Sequence, residues 1–214
     1  PRQHPELRGI RPHSPPTKIE TNNACTKFSC DYRGKVEEFT LPMVGRHNVY
    51  NALAAIAVAE YLNLTADEVR CGFFNFTASG MRLAVMQVKN YTVINDAYNA
   101  SPMSMMAAID TLKEVAKDRS VAVLGDMLEL GDISEQSHKK VGQKLVQAGV
   151  NIVVAVGEMS KWIVEEAQKG AIVAIHCKSH NEAGVALRKL LKAKDTILFK
   201  GSRGMQMEKV IDLL

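Results

Sequence analysis

Tyr91-Thr92-Val93-Ile94-Asn95-Asp96-Ala97-Tyr98-Asn99-Ala100-Ser101-Pro102 carries the chain from a short apolar run through a polar turn and into a helix. Tyr91 to Ile94 reads as a buried strand. Met103 to Ala116 reads as a helix, with Ser101 at its N-cap and Pro102 at the first helical position, where a missing N–H costs nothing. The same rhythm repeats downstream. Strand-like runs at 92–95, 121–124, 152–156, 172–176 and 197–199 alternate with helix-like runs near 103–116, 134–148, 158–168, 180–193 and 204–213. Short β-branched runs separated by helices indicate βαβ units and a parallel sheet. Right-handed crossovers then give an open, doubly wound α/β sheet with helices on both faces and strands that read as fully buried. Ligands of such sheets bind in the crevice at the carboxyl ends of the strands. Asp96, Tyr98 and Asn99 crowd that position after the first strand, and packing alone supplies no reason for a charge there.

Upstream, the pattern differs. Pro1, Pro5, Pro12, Pro15 and Pro16 fall within residues 1–24, which read as irregular. Phe28, Cys30 and Tyr32, then Val36 and Phe39, alternate across Arg33-Gly34, a hairpin signal. An Ala-rich helix is expected over 45–62, with Leu53, Ile56, Ala57 and Tyr61 on its inner face. A second helix over 66–74 starts with Thr65 as N-cap and Glu68 completing a capping box. Thr77-Ala78-Ser79-Gly80 breaks the periodicity, which places a domain boundary near 81–83.

The 214 residues suffice for one large or two small domains. A net charge of +4 tolerates an anionic substrate without pointing to nucleic acid, and no aromatic residues interleave with the early basic ones. Cys25, Cys30, Cys71 and Cys177 form no C-x-x-C pair, so reduced thiols in a cytoplasmic protein are expected. No run approaches membrane-spanning length. The chain opens on Pro1, and a fragment of a longer protein is expected.

Three further stretches carry candidate chemistry. In Gly45-Arg46-His47-Asn48-Val49-Tyr50-Asn51, His47, Asn48 and Asn51 gather near the positive end of a helix, and amide side chains offer the donor and acceptor that a purine edge needs. Asn48 could instead cap the helix. Leu124 to Gly131 contains Asp126 between a strand and a helix, but its glycines lack the G-x-G-x-x-G spacing of a dinucleotide site. Lys200-Gly201-Ser202-Arg203 opens the last helix with a hydroxyl and two cations, suited to a carboxylate or phosphate, or to a plain basic turn. Arg82, at the inferred boundary, could reach a phosphate. His138, His176 and His180 have no partner at ligand spacing and read as surface or helix-start residues. No G-x-x-x-x-G-K-[ST] loop occurs in the 214 residues.

Taken together, 45–51, Gly80-Met81-Arg82, 95–102, 123–131 and 200–208 resemble the Mur ligases, ATP-dependent amide-forming enzymes of peptidoglycan precursor synthesis. Any one stretch is weak, but five in the same order are specific, and the likeness runs from about residue 40 to the end. The resemblance implies that 1–83 is the rear part of a central ATPase domain and 84–214 a Rossmann-like C-terminal domain. It implies ATP, UDP-N-acetylmuramoyl-tripeptide and D-Ala-D-Ala as substrates of a monomer away from membranes, and Mg²⁺ held mainly by residues upstream. Asn51, with His47 and Asn48 beside it, would contact adenine. Arg82 and Asp96 would contact ribose and phosphates. Tyr98 and Asn99 would line the cleft where an acyl phosphate meets the incoming amine. Asp126, Lys200, Ser202 and Arg203 would face the incoming dipeptide. Ser79 stands where relatives often have Pro before the glycine. Another Mur-type ligase, a folylpolyglutamate or cyanophycin synthetase, or a non-catalytic nucleotide-binding module are the alternatives. Without a P-loop, this chain alone is expected not to turn over ATP.

Overall fold

The carboxyl ends of the five parallel strands of a six-stranded sheet in the second half of the molecule form the edge on which most candidate residues lie. The computed structural model describes residues 15–22, 24–77 and 80–214, so Ala78, Ser79 and the early proline-rich residues 1–14 lie outside the described residues. The chain divides into two compact units, Pro1–Thr77 and Ala78–Leu214.

In the first unit, β1 (Thr17–Thr21), β2 (Thr26–Tyr32) and β3 (Lys35–Leu41) form an antiparallel sheet in that order. The segment 17–21 was expected to be irregular. It is instead a strand, because its backbone pairs with β2 from Thr21 opposite Thr26 to Thr17 opposite Ser29. The β2–β3 hairpin turns at Arg33 and Gly34, both at positive φ (54° and 81°), as a two-residue hairpin turn requires. Phe28 pairs with Phe39, and both are buried. Val36 is 78% exposed, because residues three apart on a strand point to opposite faces.

Two helices follow, α1 (Arg46–Tyr61) and α2 (Ala66–Phe74). The capping box of α2 forms as expected: Thr65 Oγ1 accepts from Glu68 N–H, and the Glu68 carboxylate accepts from Thr65 N–H at 2.7 Å. The inner face of α1 differs from expectation. Val49, Ala52, Ile56 and Ala59 are buried, whereas Tyr61 is 60% exposed. An Ala-rich helix has little amphipathicity to mark its inner side.

The second unit holds β4 (Ala84–Val88), β5 (Tyr91–Asp96), α3 (Pro102–Val115), β6 (Ser120–Gly125), α4 (Ser134–Gln147), β7 (Ile152–Val156), α5 (Lys161–Ala167), β8 (Val173–Cys177), α6 (His180–Leu190), β9 (Thr196–Lys200) and α7 (Glu208–Ile211). The sheet order is β4-β5-β9-β6-β7-β8, parallel except for β4. The last strand therefore inserts between the second and third. Val121, Val123, Ile152, Val154, Ile197 and Phe199 pack with α6 and α7 on one face. None of α3, α4 and α5 contributes to that cluster; they pack on one another and on the strands elsewhere. The open α/β sheet flanked by helices is thus as expected.

Three details depart from the sequence pattern. β4 went unread, being a short antiparallel edge strand. β8, at the other edge, is buried only at Cys177, with Val173 and His176 exposed and Ala174 and Ile175 half-buried. The last helical run is a 3₁₀ turn over Arg203–Met205, then Gln206 at φ 48°, then the four residues of α7. At the amino end of β9, Arg119 grips Asp195 through two hydrogen bonds of 2.9 and 2.7 Å, with Asp195 only 1% exposed. All four cysteines are free thiols, and burial pushes the Cys30 thiol up to about 11. Among the described residues, no helix is long and apolar enough to cross a membrane.

Candidate functional site

β5 and β9 run parallel with Asp96 directly beside Lys200, so both side chains leave the same end of the sheet together. The Lys200 ammonium lies 2.6 Å from Asp96 Oδ2, with side-chain exposures of 3% and 13%. It also donates to the Asn99 carbonyl at 2.8 Å. Asp96 Oδ1 accepts from the Leu83 N–H at 3.1 Å. A charge at Asp96 therefore has a packing partner after all, contrary to the reading from sequence. The residue that supplies it is 104 positions away. A buried pair of this kind is held by its extra hydrogen bonds, since Coulomb attraction alone barely offsets desolvation.

The rest of the turn is built from local hydrogen bonds. Ala97 N–H donates to Asn95 Oδ1 at 3.2 Å, and Ala100 N–H to Asn99 Oδ1 at 2.8 Å. Ser101 caps α3 and Pro102 is its first residue, as the sequence predicts, with Ser104 Oγ accepting from Ser101 N–H. Tyr98 is 44% exposed, and the exposed Arg82 guanidinium lies over its ring, 4.2 Å from the centroid. Such a stacked guanidinium keeps its outward N–H groups available to an anion.

Beside this turn, the ends of β6 and β9 approach closely. A Cβ on Gly201 would meet Met207 Cγ at 2.7 Å and Gly125 Cα at 3.1 Å, so both strand ends need glycine. Ser202 is buried; its N–H donates to the Asp126 carbonyl at 3.0 Å, and its hydroxyl accepts from Leu128 N–H at 2.9 Å. The Asp126 carboxylate accepts from Ser160 N–H at 2.7 Å and Met159 N–H at 3.2 Å while only 5% exposed. Its geometry is that of a brace at the start of α5. Arg203 is exposed, paired with Glu208 at 2.8 Å and touching Met81 Sδ at 3.3 Å.

His138, read from sequence as a surface residue, is fully buried. Its Nε2 accepts from Met127 N–H at 3.0 Å, and its Nδ1 lies 2.8 Å from the Ser134 carbonyl. That arrangement fixes the neutral tautomer with the proton on Nδ1. Its position four residues after Ser134 on α4 was the one available signal. His176 is exposed and His180 opens α6, both as read.

Arg82, Asp96, Tyr98, Asn99, Lys200, Ser202 and Arg203 thus gather at one end of one sheet. His47, Asn48 and Asn51 belong to the first unit. Asn48 is buried, and its amide donates to the Val44 carbonyl at 2.8 Å. It does not cap α1, whose N-cap is Gly45. Instead Asn48 Oδ1 accepts from the exposed Asn51 amide at 3.1 Å, which leaves the Asn51 carbonyl oxygen for another donor. Among the described residues, no group of three His, Cys, Asp or Glu could hold a metal ion.

Comparison with known proteins agrees with this architecture. Residues 81–203 match the Mur ligase, glutamate ligase domain, and residues 12–59 match the Mur ligase middle domain. UDP-N-acetylmuramoyl-tripeptide–D-alanyl-D-alanine ligase of Bacillus subtilis is 36% identical over 183 residues, which is 84% of this chain and 40% of the relative. The Escherichia coli enzyme of the same name is 37% identical over 202 residues, 92% of this chain and 43% of the relative. The chain thus spans less than half the length of these relatives. A crystal structure of MurF from Acinetobacter baumannii superposes with a TM-score of 0.82 at 32% identity, covering 92% of this chain and 44% of that one. MurF ligase from Thermotoga maritima in complex with ADP shares the fold, with a TM-score of 0.80 at 22% identity, over 92% of this chain and 45% of that one. With more than half of its residues matched by one domain of the family, the chain belongs to the Mur ligases.

Proposed function

We propose that this chain is the rear of the central domain and the C-terminal domain of an ATP-dependent ligase that joins D-Ala-D-Ala to UDP-N-acetylmuramoyl-tripeptide in the cytoplasm, acting as a monomer. The single observation that carries the proposal is the cation-rich carboxyl end of β5 and β9, where a buried Lys200–Asp96 pair sits beside an exposed Arg82 stacked on Tyr98. The names of the relatives supply the substrates, and the ADP in the T. maritima structure supports a nucleotide.

The reaction has two steps. An oxygen of the tripeptide carboxylate attacks the γ-phosphorus of ATP, forming a C–O–P link as ADP leaves. The dipeptide amine then attacks the acyl carbon, phosphate departs with the bonding electrons on its oxygen, and the surplus proton of the nitrogen passes to the released phosphate or to water. Both steps build negative charge, so preorganised cations are the principal stabilisers. Arg82 is assigned to the nucleotide, with Asp96 supporting it. Asn51, held by Asn48 and with His47 nearby in sequence, is assigned to adenine. Tyr98 and Asn99 line the place where the acyl phosphate forms.

Lys200 has two of its three donors engaged inside the protein. Arg203, exposed and aimed by Glu208, is therefore the better receptor for the dipeptide carboxylate, with Lys200 and Ser202 shaping the floor beneath it and Asp126 bracing the loop. Mg²⁺ would accompany ATP, and among the described residues no group of three His, Cys, Asp or Glu could hold it.

The test is Arg82→Ala in the full ligase, read by phosphate release that depends on tripeptide and dipeptide together. Loss of a charged hydrogen bond is worth about 1.5–3 kcal/mol, so KM for ATP should rise on the order of ten- to hundredfold. An unchanged KM for ATP would remove Arg82 from the nucleotide site. Turnover with another amino acid in place of D-Ala-D-Ala would redirect the substrate assignment.

A further inference from the structure

The chain leaving β6 is pinned at three consecutive residues. The Asp126 carbonyl accepts from Ser202 N–H at 3.0 Å, Met127 N–H donates to His138 Nε2 at 3.0 Å, and Leu128 N–H donates to Ser202 Oγ at 2.9 Å. Ser202 and His138 are both buried, so these partners are themselves fixed. Glu129 then holds φ at 63°, a left-handed conformation that a non-glycine residue keeps only when its surroundings impose it. What this bracing presents is an apolar side chain, for Leu128 is 43% exposed. It rests on the 3₁₀ turn Arg203–Met205, where a Cβ on Gly204 would meet Leu128 Cδ1 at 2.9 Å. The leucine therefore has no room to sink into the turn. The residue before Gly204 is Arg203, exposed and held by Glu208 at 2.8 Å. A scattered surface leucine needs no explanation, but one fixed in place beside a cation does.

We propose that Leu128 is a specificity-determining residue for the incoming dipeptide: it walls the space for the side chain of the residue whose carboxylate Arg203 receives, admitting a methyl group and turning larger ones away. The proposal rests on the assignment of Arg203 to the dipeptide carboxylate. In an amino acid the side chain branches from the carbon next to the carboxylate. A terminal residue with its carboxylate on Arg203 thus brings that side chain to the neighbourhood of Gly204, over which Leu128 lies. A methyl gains apolar contact there. A branched side chain must displace the leucine, and the pinned backbone and the turn beneath resist this. Selection is therefore by exclusion, which discriminates without a tight fit to the favoured side chain. The amine-bearing residue of the dipeptide lies further from Arg203, toward the acyl group, and escapes the wall.

The experiment measures KM and kcat/KM in the full ligase for D-Ala-D-Ala, D-Ala-D-Leu and D-Leu-D-Ala, with wild type, Leu128→Ala, Leu128→Val and Arg203→Ala. Leu128→Ala should raise the kcat/KM ratio of D-Ala-D-Leu to D-Ala-D-Ala on the order of tenfold or more, the scale on which a pocket distinguishes one or two methylenes. Leu128→Val should raise it by less, and it decides alone should Leu128→Ala fail to fold. The ratio of D-Leu-D-Ala to D-Ala-D-Ala should stay within about twofold of wild type, because the wall meets only the terminal residue. A leucine that merely stiffens the loop would instead relax the site for both bulky dipeptides alike. Unchanged selectivity in the Leu128 variants, or an equal rise for both bulky dipeptides, would overturn the proposal. Arg203→Ala reads the underlying assignment separately, and KM for D-Ala-D-Ala should rise on the order of tenfold. If it rises while the Leu128 variants keep wild-type selectivity, the wall is wrong and the receptor stands. If it does not rise, the assignment of Arg203 has failed, and the wall placed by it fails too.

Discussion

Strand β9 has a buried ion pair at each end, and the two are built differently. At the amino end Asp195 takes two hydrogen bonds from Arg119 and a third from Lys192 N–H. Arg119 also donates to the Leu190 carbonyl, which closes the arrangement on itself. At the carboxyl end Lys200 meets Asp96 at a single point and reaches on to Asn99, while Asp96 reaches back to Leu83. The first pair ties loops together and ends there. The second connects two segments that bear exposed groups, Arg82 on one and Tyr98 and Asn99 on the other. A buried carboxylate with a cationic partner therefore does not by itself mark a candidate site; what distinguishes the second pair is the end of the sheet at which it sits and what its spare hydrogen bonds hold.

The largest expected effects are on stability, and they should be the same at both ends. Removing one partner of a buried pair leaves the other uncompensated, so Asp195→Asn and Asp96→Asn should each cost about 3 kcal/mol in chemical denaturation. A cost near zero at either position would mean that water already compensates the remaining charge. Next comes Asp126→Ala, which strands two backbone N–H groups at the start of α5 and should cost about 2–4 kcal/mol. If Asp126 is a brace, KM for both ATP and the dipeptide should stay at wild type in the folded enzyme. A raised dipeptide KM would return it to the substrate.

A smaller effect is expected from His138→Gln. An amide can accept from Met127 N–H but packs less well, so a loss of about 1–2 kcal/mol is expected, checked by thermal melting. The smallest concerns the first unit. Hydrogen bonds from Thr65 hold the Glu68 carboxyl below its usual range. A carboxylate with a depressed folded pKa contributes stability above the ordinary Glu range and loses it as pH falls through the lowered value. Protection factors of the α2 amides, taken relative to the intrinsic exchange rate at each pH, should therefore fall on acidification in wild type and be insensitive to that step in Glu68→Gln.

Local chemistry was the legible part of the fold. The Ser101-Pro102 start of α3, the Thr65–Glu68 box and the Arg33-Gly34 turn each follow from a few adjacent residues, and each formed as read. Elements whose form is set by distant partners were harder. β4 exists because β5 offers an edge, and Ala84-Val85-Met86-Gln87-Val88 shows little of its own pattern. The last helix is cut short at Gln206, where a left-handed residue interrupts a run with helical spacing. That the candidate residues of this turn lie at the carboxyl end of a strand was legible too, since a polar turn follows the apolar run. Its wiring was not. β9 inserts between β5 and β6, and only that insertion brings Lys200 to Asp96. Burial of Ser202 and His138 likewise depends on how the loop after β6 folds over them.

The measurement that separates the two ends of β9 most directly is a side-by-side one. Asp96→Asn and Asp195→Asn are compared in the full ligase for unfolding free energy and for kcat/KM with ATP per folded molecule. Both should lose stability by similar amounts, while kcat/KM falls on the order of tenfold or more for Asp96→Asn alone and stays within about twofold of wild type for Asp195→Asn. Wild-type kcat/KM in folded Asp96→Asn, or an equal fall in both variants, would contradict the assignment of the carboxyl end of β9 as the nucleotide-serving site.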